Sequence, residues 1–128
     1  MNFMPVRIEK LEHVIIAHLE GQTLDASNAK NLKSEITPLI SANARLILDL
    51  GSLKFVDSSG LGALLSCLRQ LNAVGGDLKL YGLNKPVRAL FELVRMHRVF
   101  EIFNTQEEAL RSYGSRSAGA IEVEKTLQ

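Results

Sequence analysis

The chain has 128 residues, of which 46% are hydrophobic and 23% charged, a composition typical of one soluble globular domain rather than of a disordered or fibrous chain. Fifteen basic residues against 14 acidic ones leave a formal charge of +1, and the basic residues are too scattered to form a stripe for nucleic acid. The N-terminus lacks the layout of a signal peptide and no apolar run approaches the roughly 20 residues that span a bilayer, so we expect a cytoplasmic chain without membrane association.

The first half of the chain predicts two strands, a helix and a central strand. Residues 7–11 and 13–19 are extended segments that could pair as a hairpin. Apolar residues at helical spacing then predict a first helix, with Asp25 or Ser27 as its N-cap. These apolar residues are Ala29, Leu32, Ile36, Leu39 and Ile40. Residues 46–50 are apolar almost throughout, which indicates a strand covered on both faces.

A second helix is predicted from residue 58 to residue 73, where Gly75-Gly76 ends it. Its inward stripe consists of Leu61, Leu64, Leu65, Leu68 and Leu71. A strand at 78–81 follows, and Pro86 suits the first turn of a third helix. That helix is expected to be buried through Val87, Leu90, Phe91 and Val94.

The chain closes with a short strand at 99–103 and a fourth helix, which Thr105 caps with Glu108 at the capping-box position. The order β β α β α β α β α predicts an α/β fold, a mixed β-sheet packed against four helices. We assign residues 1–111 to this domain. Residues 112–128 are rich in Ser and Gly and are expected to be a mobile tail, with the alternative that 121–127 docks as an extra element.

The segment most informative about function is Asp57-Ser58-Ser59-Gly60-Leu61-Gly62, between a buried strand and an apolar-faced helix. A phosphate on a hydroxyl at a helix start lies beside unpaired backbone N–H groups and the positive end of the helix dipole. Its charge of about −1.5 to −2 could reshape a binding surface. The alternative is purely structural, since Asp and Ser are good caps and glycines allow close helix–strand packing.

The run Phe55-Val56-Asp57-Ser58-Ser59-Gly60-Leu61-Gly62 after Leu48-Asp49-Leu50 resembles the signature of STAS domains, the sulfate transporter and anti-sigma factor antagonist family. Similarity extends to Leu24-Asp25, to residues 80–87 and to residues 99–110, so that it covers roughly residues 5–111. The resemblance implies the STAS-like mixed sheet, and it favours the stand-alone type that acts as an anti-sigma factor antagonist.

For that type, the resemblance implies that Ser58 is the phosphoacceptor. An anti-sigma factor with serine kinase activity, a GHKL-type ATPase, phosphorylates it, and a PP2C-type phosphatase removes the phosphate. The unphosphorylated antagonist binds the anti-sigma factor and frees the sigma factor. Asp57 would present Ser58 or contact the partner.

Residues around the phosphoacceptor complete the expected site. Ser59 is expected to cap the helix, and Gly60 belongs to the motif. We expect the helix to turn Ala63, Ser66 and Arg69 outward as the partner-binding surface. The family usually has Gly-x-Leu-Asp before the first helix, whereas Gly21-Gln22-Thr23-Leu24-Asp25 has one extra residue. Asp25 is therefore either a helix cap or a site residue.

Three other functions compete with this one. A receiver domain phosphorylated on aspartate would need a second acidic group after the first strand to hold Mg²⁺, and Glu20 has no acidic neighbour. A serine hydrolase would need Gly-x-Ser-x-Gly, whose leading glycine is missing at residues 57–62, and a downstream base, for which His97 is the only histidine after Ser58. A STAS scaffold or a subunit of a stress-sensing or lipid-transport complex would bind partners without a phosphorylation cycle.

We therefore expect no catalytic residue, no metal site and no cofactor in this chain. The single Cys67 cannot form an internal disulfide or a Cys-x-x-Cys metal site, and it falls in an apolar helical pattern.

Overall fold

The computed structural model describes residues 3–114, which form seven strands and four helices. The strands are β1 (Val6–Lys10), β2 (Ile15–Leu19), β3 (Thr23–Leu24), β4 (Arg45–Asp49), β5 (Phe55–Val56), β6 (Asp77–Tyr81) and β7 (Glu101–Phe103). The helices are α1 (Ala29–Ile36), α2 (Ser58–Ala73), α3 (Lys85–Leu93) and α4 (Gln106–Gly114). Short 3-10 turns follow α1 at Thr37–Leu39 and α3 at Met96–Arg98.

The main sheet has five strands in the order β1-β2-β4-β6-β7. β1 and β2 form the expected antiparallel hairpin, with Val6 opposite Leu19. β2, β4, β6 and β7 are parallel neighbours, because each is joined to the next by a helical crossover. The predicted α/β class, with a mixed sheet and four helices, is confirmed.

The sheet is covered on both faces, as the apolar run at 46–50 predicted. On one face α1, α2 and α3 enclose the large core, which includes Leu48, Leu64 and Phe91. On the other face α4 alone packs through Ala109 and Tyr113 against Ile16 and Ile47. Leu46, Ile47 and Leu48 of β4 are each no more than 1% exposed.

The bounds of α2 are those predicted from the sequence, Ser58 to Ala73. Asp57 supplies the N-cap, and Gly75 ends the helix with a φ of 76°, in the left-handed region that glycine adopts readily. Cys67 is buried on this helix, as expected.

One feature of the fold was not predicted. β3 and β5 form a separate two-stranded parallel sheet, in which Leu24 pairs with Val56. Strands of two residues are too short to show an alternation in sequence. This small ribbon joins the segment before α1 to the segment before α2.

Several predicted details were wrong at the ends of elements. The N-cap of α1 is Asn28 rather than Asp25 or Ser27. Val94 is 40% exposed, because α3 ends at Leu93 and the chain turns away from the core. Val99 is also exposed and precedes β7, which begins only at Glu101.

The boundary predicted after residue 111 falls inside α4, which continues to Gly114 with Tyr113 buried. Residues 115–128, and with them the rest of the predicted tail, lie outside the described residues. Among residues 3–114 the structure has no helix long and apolar enough to cross a membrane.

Candidate functional site

The carboxylate of Asp57 organises the start of α2. Its Oδ1 accepts a hydrogen bond of 2.9 Å from the backbone N–H of Gly60, and the backbone of Asp57 is extended, as an N-cap requires. Its Oδ2 accepts from the backbone N–H of Ala26 at 3.3 Å. One side chain therefore caps the helix and also holds the loop that precedes α1.

The ribbon of β3 and β5 brings that loop against the motif. Lys54 N–H donates to the Gln22 carbonyl at 2.7 Å, and Asp57 N–H donates to the Leu24 carbonyl at 3.1 Å. These bonds place Asp25, one residue beyond Leu24, beside the start of α2.

The carboxylate of Asp25 is used locally. Its Oδ1 accepts from both the backbone N–H and the hydroxyl of Ser27, at 2.9 and 2.6 Å, which is an Asx turn. Asp25 thus shapes the loop beside the motif instead of capping α1 as expected.

Ser58 and Ser59 occupy the first turn of α2, and both are exposed. The expectation that Ser59 caps the helix was wrong, because Asp57 accepts the Gly60 N–H instead. Both hydroxyls are therefore accessible from solvent, with the capping role taken by the residue before them.

Gly60 is required by close packing. A Cβ at this position would lie 2.5 Å from the Leu24 carbonyl oxygen and 3.0 Å from a methyl carbon of Val56. The absence of a side chain lets α2 begin directly against the ribbon. Gly62 differs, since a Cβ there would meet nothing within 4 Å. The expected close-packing role thus holds for Gly60 and is wrong for Gly62.

The expected outward face of α2 needs one correction. Ala63 is 2% exposed, because α1 packs along that flank of α2 and adds it to the core beside Cys67. Ser66 is half-buried and Arg69 is exposed. Burial raises the pKa of the Cys67 thiol to about 11, so it stays protonated near neutral pH.

A groove of about 560 Å³ runs between α1 and α2 beside Ser59. Its lining residues are Ala26, Ala29, Lys30, Lys33, Ser59, Gly62 and Ala63. The sequence analysis did not identify the contribution of α1. The signal was present in Lys30 and Lys33, which are three residues apart on α1 and flank its buried stripe of Ala29, Leu32 and Ile36.

A second polar cluster lies on the face of the sheet that carries α4. His18 is 6% exposed, and its ring nitrogens lie 2.6 Å from Asp49 Oδ2 and 2.9 Å from Glu9 Oε1. Burial lowers the pKa of His18, but the hydrogen bonds to Asp49 and Glu9 outweigh burial, so the pKa is raised. An isolated histidine in a strand gave no signal of these partners in the sequence.

Within the part of the chain that the structure describes, no group of three or more His, Cys, Asp or Glu residues is arranged to hold a metal ion. The arrangement around Ser58 is an exposed hydroxyl beside a capped helix start and an open groove. Such a surface can be modified and can bind a partner.

Comparison with known proteins identifies the family. The sequence profile of the STAS domain matches residues 5–109. The chain belongs to the STAS domain family. The resemblance inferred from the motif around Ser58 is thereby confirmed.

Related STAS proteins of similar length are named as anti-sigma factor antagonists. BtrV of Bordetella bronchiseptica carries that name and is 32% identical over 111 residues, which cover 86% of this chain and 95% of BtrV. The anti-sigma F factor antagonist of Paenibacillus polymyxa is 29% identical over 111 residues, covering 84% of this chain and 94% of the relative. The chain is therefore similar to STAS proteins named as anti-sigma factor antagonists over nearly their whole length.

The fold agrees with that of the anti-sigma factor antagonist SpoIIAA. Its unphosphorylated form matches with a TM-score of 0.68 at 23% identity, over 87% of this chain and 97% of SpoIIAA. Bacillus SpoIIAA in its phosphorylated form matches with a TM-score of 0.63 at 24% identity, over 85% of this chain and 99% of SpoIIAA.

Proposed function

We propose that this chain is an anti-sigma factor antagonist switched by phosphorylation of Ser58. The unphosphorylated chain binds an anti-sigma factor that is also a serine kinase of the GHKL ATPase type, and phosphorylation releases it. A PP2C-type phosphatase hydrolyses the phosphoserine and restores the binding form. The observation that carries the proposal is the exposed Ser58 directly after the capping Asp57 of a STAS domain.

The exposure of Ser58 fits transfer of a phosphoryl group. The Ser58 Oγ attacks the γ-phosphorus of ATP, ADP leaves, and the hydroxyl proton passes to a base of the kinase. The hydroxyl lies on the first turn of α2, where the surrounding backbone is fixed by the bonds of Asp57 to Gly60 and Ala26. A kinase therefore meets the hydroxyl in a defined position.

The effect of the phosphate follows from its charge. Phosphoserine carries about −1.5 to −2 charges and is added next to the carboxylate of Asp57, which already faces the helix amides. A partner that binds this surface when Ser58 is unphosphorylated must, after phosphorylation, desolvate the added charge or move away from it. The phosphate thus weakens binding without a change of fold.

The remaining site residues have separate roles in this proposal. Asp57 and Gly60 hold the start of α2 against the ribbon, and Asp25 shapes the neighbouring loop. Ser59, Ser66 and Arg69 lie on α2 at the partner surface. Ala63 lines the groove floor rather than an exposed face.

The experiment that tests the switch is site-resolved mass spectrometry after incubation with ATP and each purified GHKL-type kinase of the same genome. We expect Ser58→Ala to remain unphosphorylated yet bind its kinase, whereas Ser59→Ala is phosphorylated as the unmodified chain is. Ser58→Asp should reduce affinity by less than phosphorylation does, since its single charge is smaller.

Phosphate found on Ser59, or retained in full by Ser58→Ala, would contradict the assignment of Ser58. Stable complexes with STAS-containing assemblies and no phosphorylation by any of these kinases would instead support the scaffold function.

A further inference from the structure

The charged side chains that line the groove between α1 and α2 are both basic. Two lysines, Lys30 and Lys33, stand on its α1 side, and none of the described residues that line it is acidic. Among residues 3–114, neither ammonium group makes an ion pair with an acidic side chain. The groove is therefore a small electropositive surface in a chain whose net charge is only +1.

The α2 side of the groove is open because its residues are small. Ser59, Gly62 and Ala63 line this side, and a Cβ at Gly62 would meet no atom within 4 Å. Ala26 and Ala29 complete the lining from the segment leading into α1 and from its first turn. The side chain of a partner can therefore enter between the helices and reach Lys33, which is half-buried, as well as the exposed Lys30.

The groove is continuous with the phosphorylation site. Ser59, the neighbour of Ser58, lines its upper end, and Ala26 at the same end donates its N–H to Asp57 Oδ2. A kinase that reaches Ser58 thus covers the groove as well. Charge complementarity selects an acidic side chain as the group placed against the two lysines.

We propose that the groove between α1 and α2 receives a glutamate or aspartate of the anti-sigma factor kinase, which pairs with Lys30 and Lys33. The inference rests on the proposed function and adds the chemistry that the partner must present. The ion pairs attract the partner to this surface, and the phosphate on Ser58 then opposes it from the adjoining turn. Lys30 and Lys33 thus contribute to binding of the partner, whereas Ser58 controls its release.

A charge-reversal experiment tests the inference. Affinity for the purified kinase is measured by titration calorimetry at several salt concentrations for the unmodified chain and for Lys30→Glu/Lys33→Glu. The matched control is Lys10→Glu/Arg111→Glu, which makes the same charge change at exposed positions on β1 and α4. Lys30→Arg/Lys33→Arg keeps the charge in place.

We expect the groove reversal to weaken binding roughly tenfold to hundredfold and to reduce the salt dependence of the affinity, whereas the control and the arginine variant bind nearly as the unmodified chain does. Gly62→Leu, which fills open space on a helix, should also weaken binding without loss of thermal stability. Replacement of the kinase carboxylate by lysine should restore binding to the groove reversal.

Equal weakening by the groove reversal and the control would overturn the inference while leaving the proposed function standing. Absence of binding by the unmodified chain to every GHKL-type kinase of the genome would overturn both. Saturable shifts of the Lys33 and Gly62 amide signals on titration with ATP or inorganic phosphate alone would assign the groove to a phosphate ligand and overturn the inference.

Discussion

The two faces of the main sheet are stabilised in different ways. The face under α1, α2 and α3 carries a continuous apolar core that includes Leu24, Leu48 and Phe91, all 0% exposed. The face under α4 carries a smaller apolar cluster around Ile47 and Tyr113. Beside that cluster the sheet presents charged side chains, which are paired with one another.

The polar pairs on the α4 face are partly enclosed. His18 lies between Glu9 and Asp49, and Lys79, which is 3% exposed, bonds to Glu101 and lies 3.2 Å from Asp77. The Lys79 ammonium is also 4.6 Å from the centre of the Tyr113 ring. Stability on this face thus depends on pH and salt, whereas the opposite face depends on packing. The proposed phosphorylation site lies on the face whose stability depends on packing.

Overpacking at the start of α2 should cause the largest loss of unfolding free energy. Gly60→Ala places a methyl group 2.5 Å from the Leu24 carbonyl, so α2 must shift, and we expect a loss of about 1–3 kcal/mol of unfolding free energy. Gly62→Ala, two residues along the same helix, meets open space and should gain up to about 1 kcal/mol. Urea unfolding of both variants measures the difference, and equal effects would show that α2 does not press on the ribbon.

Removal of the N-cap of α2 should cause an intermediate loss of unfolding free energy. Asp57→Ala deprives the Gly60 and Ala26 N–H groups of their acceptor, and we expect a loss of about 0.5–2 kcal/mol in urea unfolding. Asp57→Asn keeps an oxygen for Gly60 but turns an amide donor toward Ala26, so it should recover only part of the loss. Full recovery by asparagine would mean that the bond to Ala26 contributes nothing.

Titration of His18, which lies on the α4 face, should cause the smallest change in unfolding free energy. Because its pKa is raised in the folded chain, the stability that it contributes is fully present below the unfolded pKa of about 6.5 and is lost as the pH rises through the folded pKa. Glu9 and Asp49 favour the charged ring, while Arg7 opposes it. Urea midpoints between pH 5.5 and 8.5 should therefore fall for the unmodified chain.

His18→Gln should remove most of this decline. A midpoint that rises with pH in the unmodified chain would contradict the assigned direction of the pKa shift.

The sequence predicted the parts of the fold that have a strong local signal. α2 was assigned with its correct bounds because a capping aspartate and a pair of glycines mark its two ends. The ribbon of β3 and β5 was missed, since its strands have only two residues and are formed by contacts between distant segments. Val94 was misassigned because the apolar spacing of α3 continues one residue past the end of the helix.

The site was predicted in the same uneven way. Ser58 and Asp57 stand out because the motif is contiguous in sequence. The orientation of Ala63 was wrong, since the leucine stripe of α2 identifies one buried flank and gives no sign that α1 covers the next one. The roles of Lys30 and Lys33 depend on how closely two helices approach, and this is set by small residues in both of them.

The ribbon of β3 and β5 has a consequence for the mobility of the proposed phosphorylation site. It is separate from the five-stranded sheet, and a few backbone hydrogen bonds, such as those from Lys54 to Gln22 and from Asp57 to Leu24, hold it together. Its side chains Leu24 and Val56 are 0% and 3% exposed and belong to the core under α1, α2 and α3, so opening the ribbon would also expose part of that core. The segment that leads to Ser58 is therefore anchored to the core through the ribbon, and it can move only if buried apolar side chains are exposed to water.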